Sequence, residues 1–140
     1  MSRFSKLALL ASPGEQARNA EKQLREMHEF VPIDEADAVI ALGGDGFLLQ
    51  LLHRLLEQRR DLPTYGMNLG TIGFLMNNWH PDDLLNRLEK AKSITVTPLV
   101  ATIESNSGQK FSLPAINEVS LLRETRQAAK LQIDVNGRTV

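Results

Sequence analysis

Residues 37–57 read DAVIALGGDGFLLQLLHRLLE, and this stretch decides the fold. Asp37–Leu42 is an apolar run short enough for a buried strand, and Gly43-Gly44 stops it. From Gly46 onward Leu48, Leu51, Leu52, Leu55 and Leu56 recur at helical spacing until the polar Glu57–Arg60. Working outward, Lys6–Ala11 (KLALLA) is a second short apolar run, ended by the turn cluster Ser12-Pro13-Gly14. Glu15–Glu29 then reads as a polar helix with Leu24 and Met27 on one side, and Thr64–Met67 follows Pro63 as a third strand. Strand–helix–strand–helix–strand is the pattern of an α/β fold with a doubly wound sheet. Pro81, Asp82 and Asp83 predict a further helix running to about Lys90, with proline at its first position and acids against its dipole.

The second half changes character. Leu99, Ala101 and Ile103 alternate with polar residues, Ser105–Gly108 is a turn, and strands are expected at Lys110–Leu113, Ile116–Leu122 and Lys130–Val135. Residues 1–98 therefore form an α/β unit and 99–140 the start of a β-rich one. Asn136-Gly137 is a strong hairpin signal. Only Arg138, Thr139 and Val140 follow it, which favours a longer protein cut within the hairpin.

Composition narrows the function classes. The chain has 140 residues with 16 Lys+Arg against 17 Asp+Glu, so nucleic acid and anionic membrane are not expected partners. Hydrophobic residues at 42% supply enough apolar surface for one folded domain, excluding a disordered tail. Without cysteine there is no disulfide framework, thiolate metal site or thiol nucleophile. No apolar run is long enough to span a membrane, and nothing after Met1–Ser5 suits a secretory signal, so a cytoplasmic location is expected. His28, His53 and His80 stand apart without metal-ligand spacing, and no metal ligand is assigned. Trp79 and Phe30 read as core or rim residues.

Three segments can carry chemistry. Gly43-Gly44-Asp45-Gly46 lies at a strand-to-helix turn, where glycines allow positive φ or close approach of a ligand and the helix N–H groups offer a phosphate site. Asp45 opposes such a ligand by charge, so it reads as a metal-shell group or a base taking a proton from a substrate hydroxyl, or else as a cap of the helix beginning near Phe47. Gly66–Leu75 (GMNLGTIGFL) has glycines at 66, 70 and 73, a loop built for close packing. Asn117-Glu118 interrupts the apolar run Ala115–Leu122, so both are expected at the end of a buried strand, paired internally or holding ribose hydroxyls.

In that order, GGDG at 43–46, N-L-G-x-x-G-F at 68–74 and N-E-V at 117–119 resemble the NAD kinase family. The resemblance covers essentially the whole chain and implies the N-terminal half of such an enzyme, a Rossmann-like domain followed by the first strands of a β-rich second domain. It implies phosphoryl transfer from ATP, or another phosphoryl donor, to the adenosine-ribose 2′-hydroxyl of NAD, giving NADP. Asp45 would be the catalytic base. Gly44 and Gly46 would admit phosphate and ribose, Phe74 would line the substrate pocket, and Asn117 and Glu118 would hold the nucleoside. Mg²⁺ or another divalent cation is implied by ATP, with no ligands identified, and an oligomer of identical chains is implied at full length. Phe47 departs from the threonine common after GGDG in the family. The basic stretch Arg123–Lys130 reads as a solvated connection, with a phosphate contact implied only by the family. Two alternatives stay open: a GGDG kinase acting on a lipid or sugar phosphate, and a nucleotide-binding fragment without turnover.

Overall fold

Every residue of the central strand β2 (Ala38–Gly43) is buried, as expected of a strand covered on both faces. A computed structural model describes residues 4–70 and 73–140. Strands β1 (Leu7–Ala11) and β3 (Thr64–Asn68) flank β2 in parallel, and a two-residue β4 (Asn77–Asn78) extends β3. Leu7 stands beside Ala38 and Val39 beside Thr64 in register.

Helices α1 (Glu15–Met27) and α2 (Asp45–Glu57) cover opposite faces. Alternation along the strands sorts the core between them. Leu7, Leu9, Ile40 and Leu42 pack with Ala20 and Leu24 of α1 and with Leu84 and Leu88 of α3 (Leu84–Lys90). Ala8, Val39 and Ala41 pack with Leu48, Leu51 and Leu55 of α2.

The return from α1 to β2 takes an unusual path with a consequence for ligand binding. The Lys6 carbonyl accepts the Asp37 N–H at 2.9 Å on the β2 side, so the next carbonyl, Leu7, faces the outer edge of β1. Val31 donates to it there at 2.9 Å. The chain thus rounds the outer edge of β1 and returns on the α2 face, where Ile33 and Ala36 pack against that core. From the carboxyl ends of neighbouring strands, then, the chain leaves β1 for α1 on one face of the sheet and β2 for α2 on the other. Connections of opposite sense from neighbouring strands part at their carboxyl ends, and the crevice they leave is where open α/β sheets bind ligands.

Beyond α3 the strands pair only in twos. β5 (Leu99–Glu104) and β6 (Lys110–Ala115) are antiparallel, and β7 (Asp134–Val135) meets β8 (Arg138–Thr139) across Asn136-Gly137. Asn136 at φ 51 and Gly137 at φ 77 are the left-handed pair that the hairpin signal calls for.

Three local expectations are corrected. Ile116–Leu122 is not a strand: pairing stops at Ala115, and Asn117 and Glu118 are exposed. In the Lys130–Val135 run the strand is confined to Asp134 and Val135, opposite Thr139 and Arg138, with one further hydrogen bond from the Val140 N–H to the Ile133 carbonyl at 2.9 Å. Pro81 does not open the helix. The His80 Nδ1 accepts the Asp82 N–H at 3.2 Å in a tight turn, and left-handed Asp83 (φ 59) precedes α3. Among the described residues no helix is long and apolar enough to cross a membrane.

Asp37 fastens the start of β1 to β2. Its carboxylate accepts the Ser5 N–H at 2.8 Å, the Ser5 hydroxyl at 2.9 Å and the Lys6 N–H at 3.2 Å. Burial pushes this carboxyl up, but the Ser5 and Lys6 hydrogen bonds outweigh it and hold it below its ordinary value. A carboxyl lowered in the native state contributes stability above its unfolded value, near 4, that is lost as pH falls through the native one. Thermal melts from pH 7 to pH 2 are expected to show Asp37→Asn less stable than the parent at pH 7, with the gap narrowing below about pH 4. A gap independent of pH would contradict this role.

Candidate functional site

The loops leaving β1, β2 and β3 converge on a cavity of about 360 Å³ at the carboxyl ends of the strands. Ser12 and Gly14 line it after β1, Gly43 and Gly44 after β2, and Asn68 and Gly70 after β3, with Gln16 and Ala17 of α1 at one side. It lies where the connections from β1 and β2 part.

Both long helices begin at this cavity. Gly14 is the N-cap of α1 and Gly44 that of α2, and neither end has a side-chain cap. A helix leaves its first N–H groups without helical partners and carries partial positive charge there. Two such ends share one cavity whose lining, among the described residues, holds no Lys or Arg, so an anion there could be met by backbone N–H groups. The Arg18 guanidinium donates to the Pro13 carbonyl and fixes the β1–α1 loop.

The glycines of GGDG divide by role. A Cβ on Gly43 would lie 3.0 Å from Phe47 Cδ1 and 3.1 Å from Ser12 Cβ, so this glycine lets the Phe47 ring close over the strand end. That gives Phe47 a packing role in place of a hydroxyl's. Gly44 and Gly46 crowd nothing within 4 Å, which leaves their backbone open to a ligand. None of the three has positive φ, so that expected use is not realised: Gly44 is extended at φ −117.

Asp45 does not cap α2, contrary to one of its readings. Its carboxylate turns across to the loop after β3, where Oδ2 accepts the Phe74 N–H at 2.8 Å and Oδ1 lies 3.4 Å from the Leu75 nitrogen. The approach needs Gly73, since a Cβ there would stand 2.2 Å from Oδ1. Within the same loop the Asn68 Oδ1 accepts the Gly70 N–H at 2.9 Å. Thr71 and Ile72 of the 68–74 motif lie outside the described residues, as do Met1–Arg3.

The site residues expected from sequence separate into two groups. Gly44 lines the cavity and Asp45 and Gly46 adjoin it in the first turn of α2. The Phe74 backbone is joined to Asp45, while its side chain is fully exposed. Asn117 and Glu118 lie apart, exposed after β6, and line no cavity described here. Among the described residues no three His, Asp or Glu side chains gather to hold a metal ion. Sequence reasoning missed the α1 end, reading Ser12-Pro13-Gly14 only as a turn. The signal was present, because that cluster repeats the strand–glycine–helix order of GGDG.

An NAD kinase of Rhizorhabdus wittichii is 56% identical over 135 residues, covering 96% of this chain and 52% of its own length. One of Zymomonas mobilis is 52% identical over 138 residues, covering 99% of the chain and 54% of the relative. The chain belongs to the NAD kinase family. It spans about half the length of the curated relatives it matches. A third member, from Xylella fastidiosa, is 46% identical over 139 residues. No protein-family model matches the chain.

The geometry makes Gly73 the test of the Asp45 link. Gly73→Ala is expected to push the carboxylate off the Phe74 N–H and lower stability by about 1–3 kcal/mol, read from denaturant unfolding. In a double-mutant cycle with Asp45→Ala most of that loss should disappear, since the clash has no partner left. Additive losses would contradict the contact.

Proposed function

We propose that the whole protein is an NAD kinase, transferring the terminal phosphoryl group of ATP, or of another phosphoryl donor, to the 2′-hydroxyl of the adenosine ribose of NAD. The observation that carries this reading is the strand-end cavity, where two uncapped helix N-termini face one space and Asp45 opens the second helix. The names of the relatives support it, as does the ordered set of three motifs. In this reading residues 1–98 form a Rossmann-like domain and 99–140 begin a β-rich one. The enzyme is cytoplasmic, and oligomeric at full length.

Phosphoryl transfer asks a protein mainly for positioning and charge neutralisation. The N–H groups at the starts of α1 and α2 would meet the phosphate oxygens, with Gly44 and Gly46 leaving the backbone uncovered. Asp45 would accept the proton of the 2′-hydroxyl as its oxygen bonds to the terminal phosphorus and the bond to the bridging oxygen breaks. The Phe74 N–H holds that carboxylate in one orientation. Exposed Phe74, Asn117 and Glu118 are free to contact the dinucleotide. A divalent cation finds no cage of protein ligands among the described residues and would be carried on the phosphates of the donor.

Asp45→Asn tests the reading in the full-length protein. The Asn carbonyl can still accept the Phe74 N–H, so the melting temperature and the affinity for NAD should hold. The amide cannot take the proton, and kcat should fall by about 10²–10⁴-fold. A variant forming NADP at the parent rate would overturn the assignment of Asp45 as base.

A further inference from the structure

A groove of about 340 Å³ adjoins the strand-end cavity, with Gln16 and Leu69 bordering both. Gln16, Asn19 and Gln23 share one face of α1, spaced three and four residues apart over about 10 Å. Among the described residues none of the three amides hydrogen-bonds to the protein, and no charged side chain lines the groove. Buried Ala20 forms the floor, where a larger side chain would fill the space. Trp79 stands on the other side.

These walls suit a flat, neutral, polar ring. Carboxamides match the adjacent donor and acceptor of an adenine edge, and an indole gives its face for stacking. Placement selects the nucleotide. Leu69 and Trp79 pack on the α1 face of the sheet, whereas Asp45 starts α2, which covers the other face. The phosphate cavity lies between groove and carboxylate. A nucleotide with its base in the groove would lay its phosphates over the strand ends and direct the last one toward Asp45.

We infer that the groove between α1 and Trp79 takes the adenine of the phosphoryl donor, an inference that rests on the phosphate reading of the adjoining cavity. The acceptor is excluded by the same placement, because its ribose must reach Asp45 from the far side of the terminal phosphate. Trp79 is the only tryptophan of this chain, so it reports directly on the groove.

The experiment uses the full-length protein, its Trp79→Phe variant as the fluorescence blank, and an Asn19→Leu/Gln23→Leu double variant at two exposed positions. ATP, inorganic tripolyphosphate and NAD are titrated separately. ATP should quench a signal that Trp79→Phe lacks, and tripolyphosphate should not. The double variant should bind ATP about 5- to 50-fold more weakly and tripolyphosphate unchanged. Parent-like ATP affinity in the double variant overturns the assignment, as does quenching by NAD in place of ATP. If tripolyphosphate binds and ATP binds no tighter, the groove assignment fails alone. If neither binds the parent protein, the phosphate reading fails and takes this inference with it.

Discussion

The hydrogen bond from the Phe74 N–H to the Asp45 carboxylate is the contact on which the site depends. It joins the turn after β2 to the loop after β3, which also meet where the Leu75 nitrogen lies 3.4 Å from the other carboxylate oxygen and where the Leu69 N–H reaches the Gly43 carbonyl at 2.9 Å. The join explains two glycines at once. Gly73 is absent of side chain because the carboxylate occupies that place, and Gly66 because Met76 Cε does, 2.9 Å from where a Cβ would be. The loop is thus folded back over the sheet edge by close packing at its two ends and pinned by one charge-assisted bond.

That bond also uses Asp45 in a way that leaves α2 uncapped. A side-chain cap is worth about 1 kcal/mol to a helix, and both helices at the cavity go without one. α3 also starts without a side-chain cap, behind left-handed Asp83, so what sets the other two ends apart is that both open on one cavity.

What the sequence made legible follows from how local each signal is. The strand and helix around GGDG were readable because Val39 to Leu56 carry their own periodicity. The strand at Ile116–Leu122 was misread for the same reason, since apolar residues in a row need a neighbouring strand to pair with, and pairing ends at Ala115. Asp45 could be narrowed only to metal-shell group, base or cap, because its partner lies 29 residues away and is a backbone N–H, which no side-chain pattern reveals. The route of residues 28–37 around β1 was hidden too. It depends on one hydrogen bond from Val31 to Leu7, yet it determines where the crevice opens.

A cavity made of backbone behaves differently from one lined with lysines. Among the described residues no Lys or Arg borders it, so attraction to an anion would come from dipoles that fade within a turn of the helix. Long-range steering is weak, and selectivity must come from fit at short distance. Most side-chain changes around the cavity would leave its donors in place, because the donors are peptide N–H groups. The sensitive positions are those where a new Cβ would cover them, Gly44 and Gly46, and those where a Cβ would collide with a packed neighbour, Gly43 beneath Phe47 and Gly73 beneath Asp45. The glycines of the two motifs are therefore not interchangeable spacers. One pair leaves the donors uncovered, and the other lets Phe47 and Asp45 pack beside them.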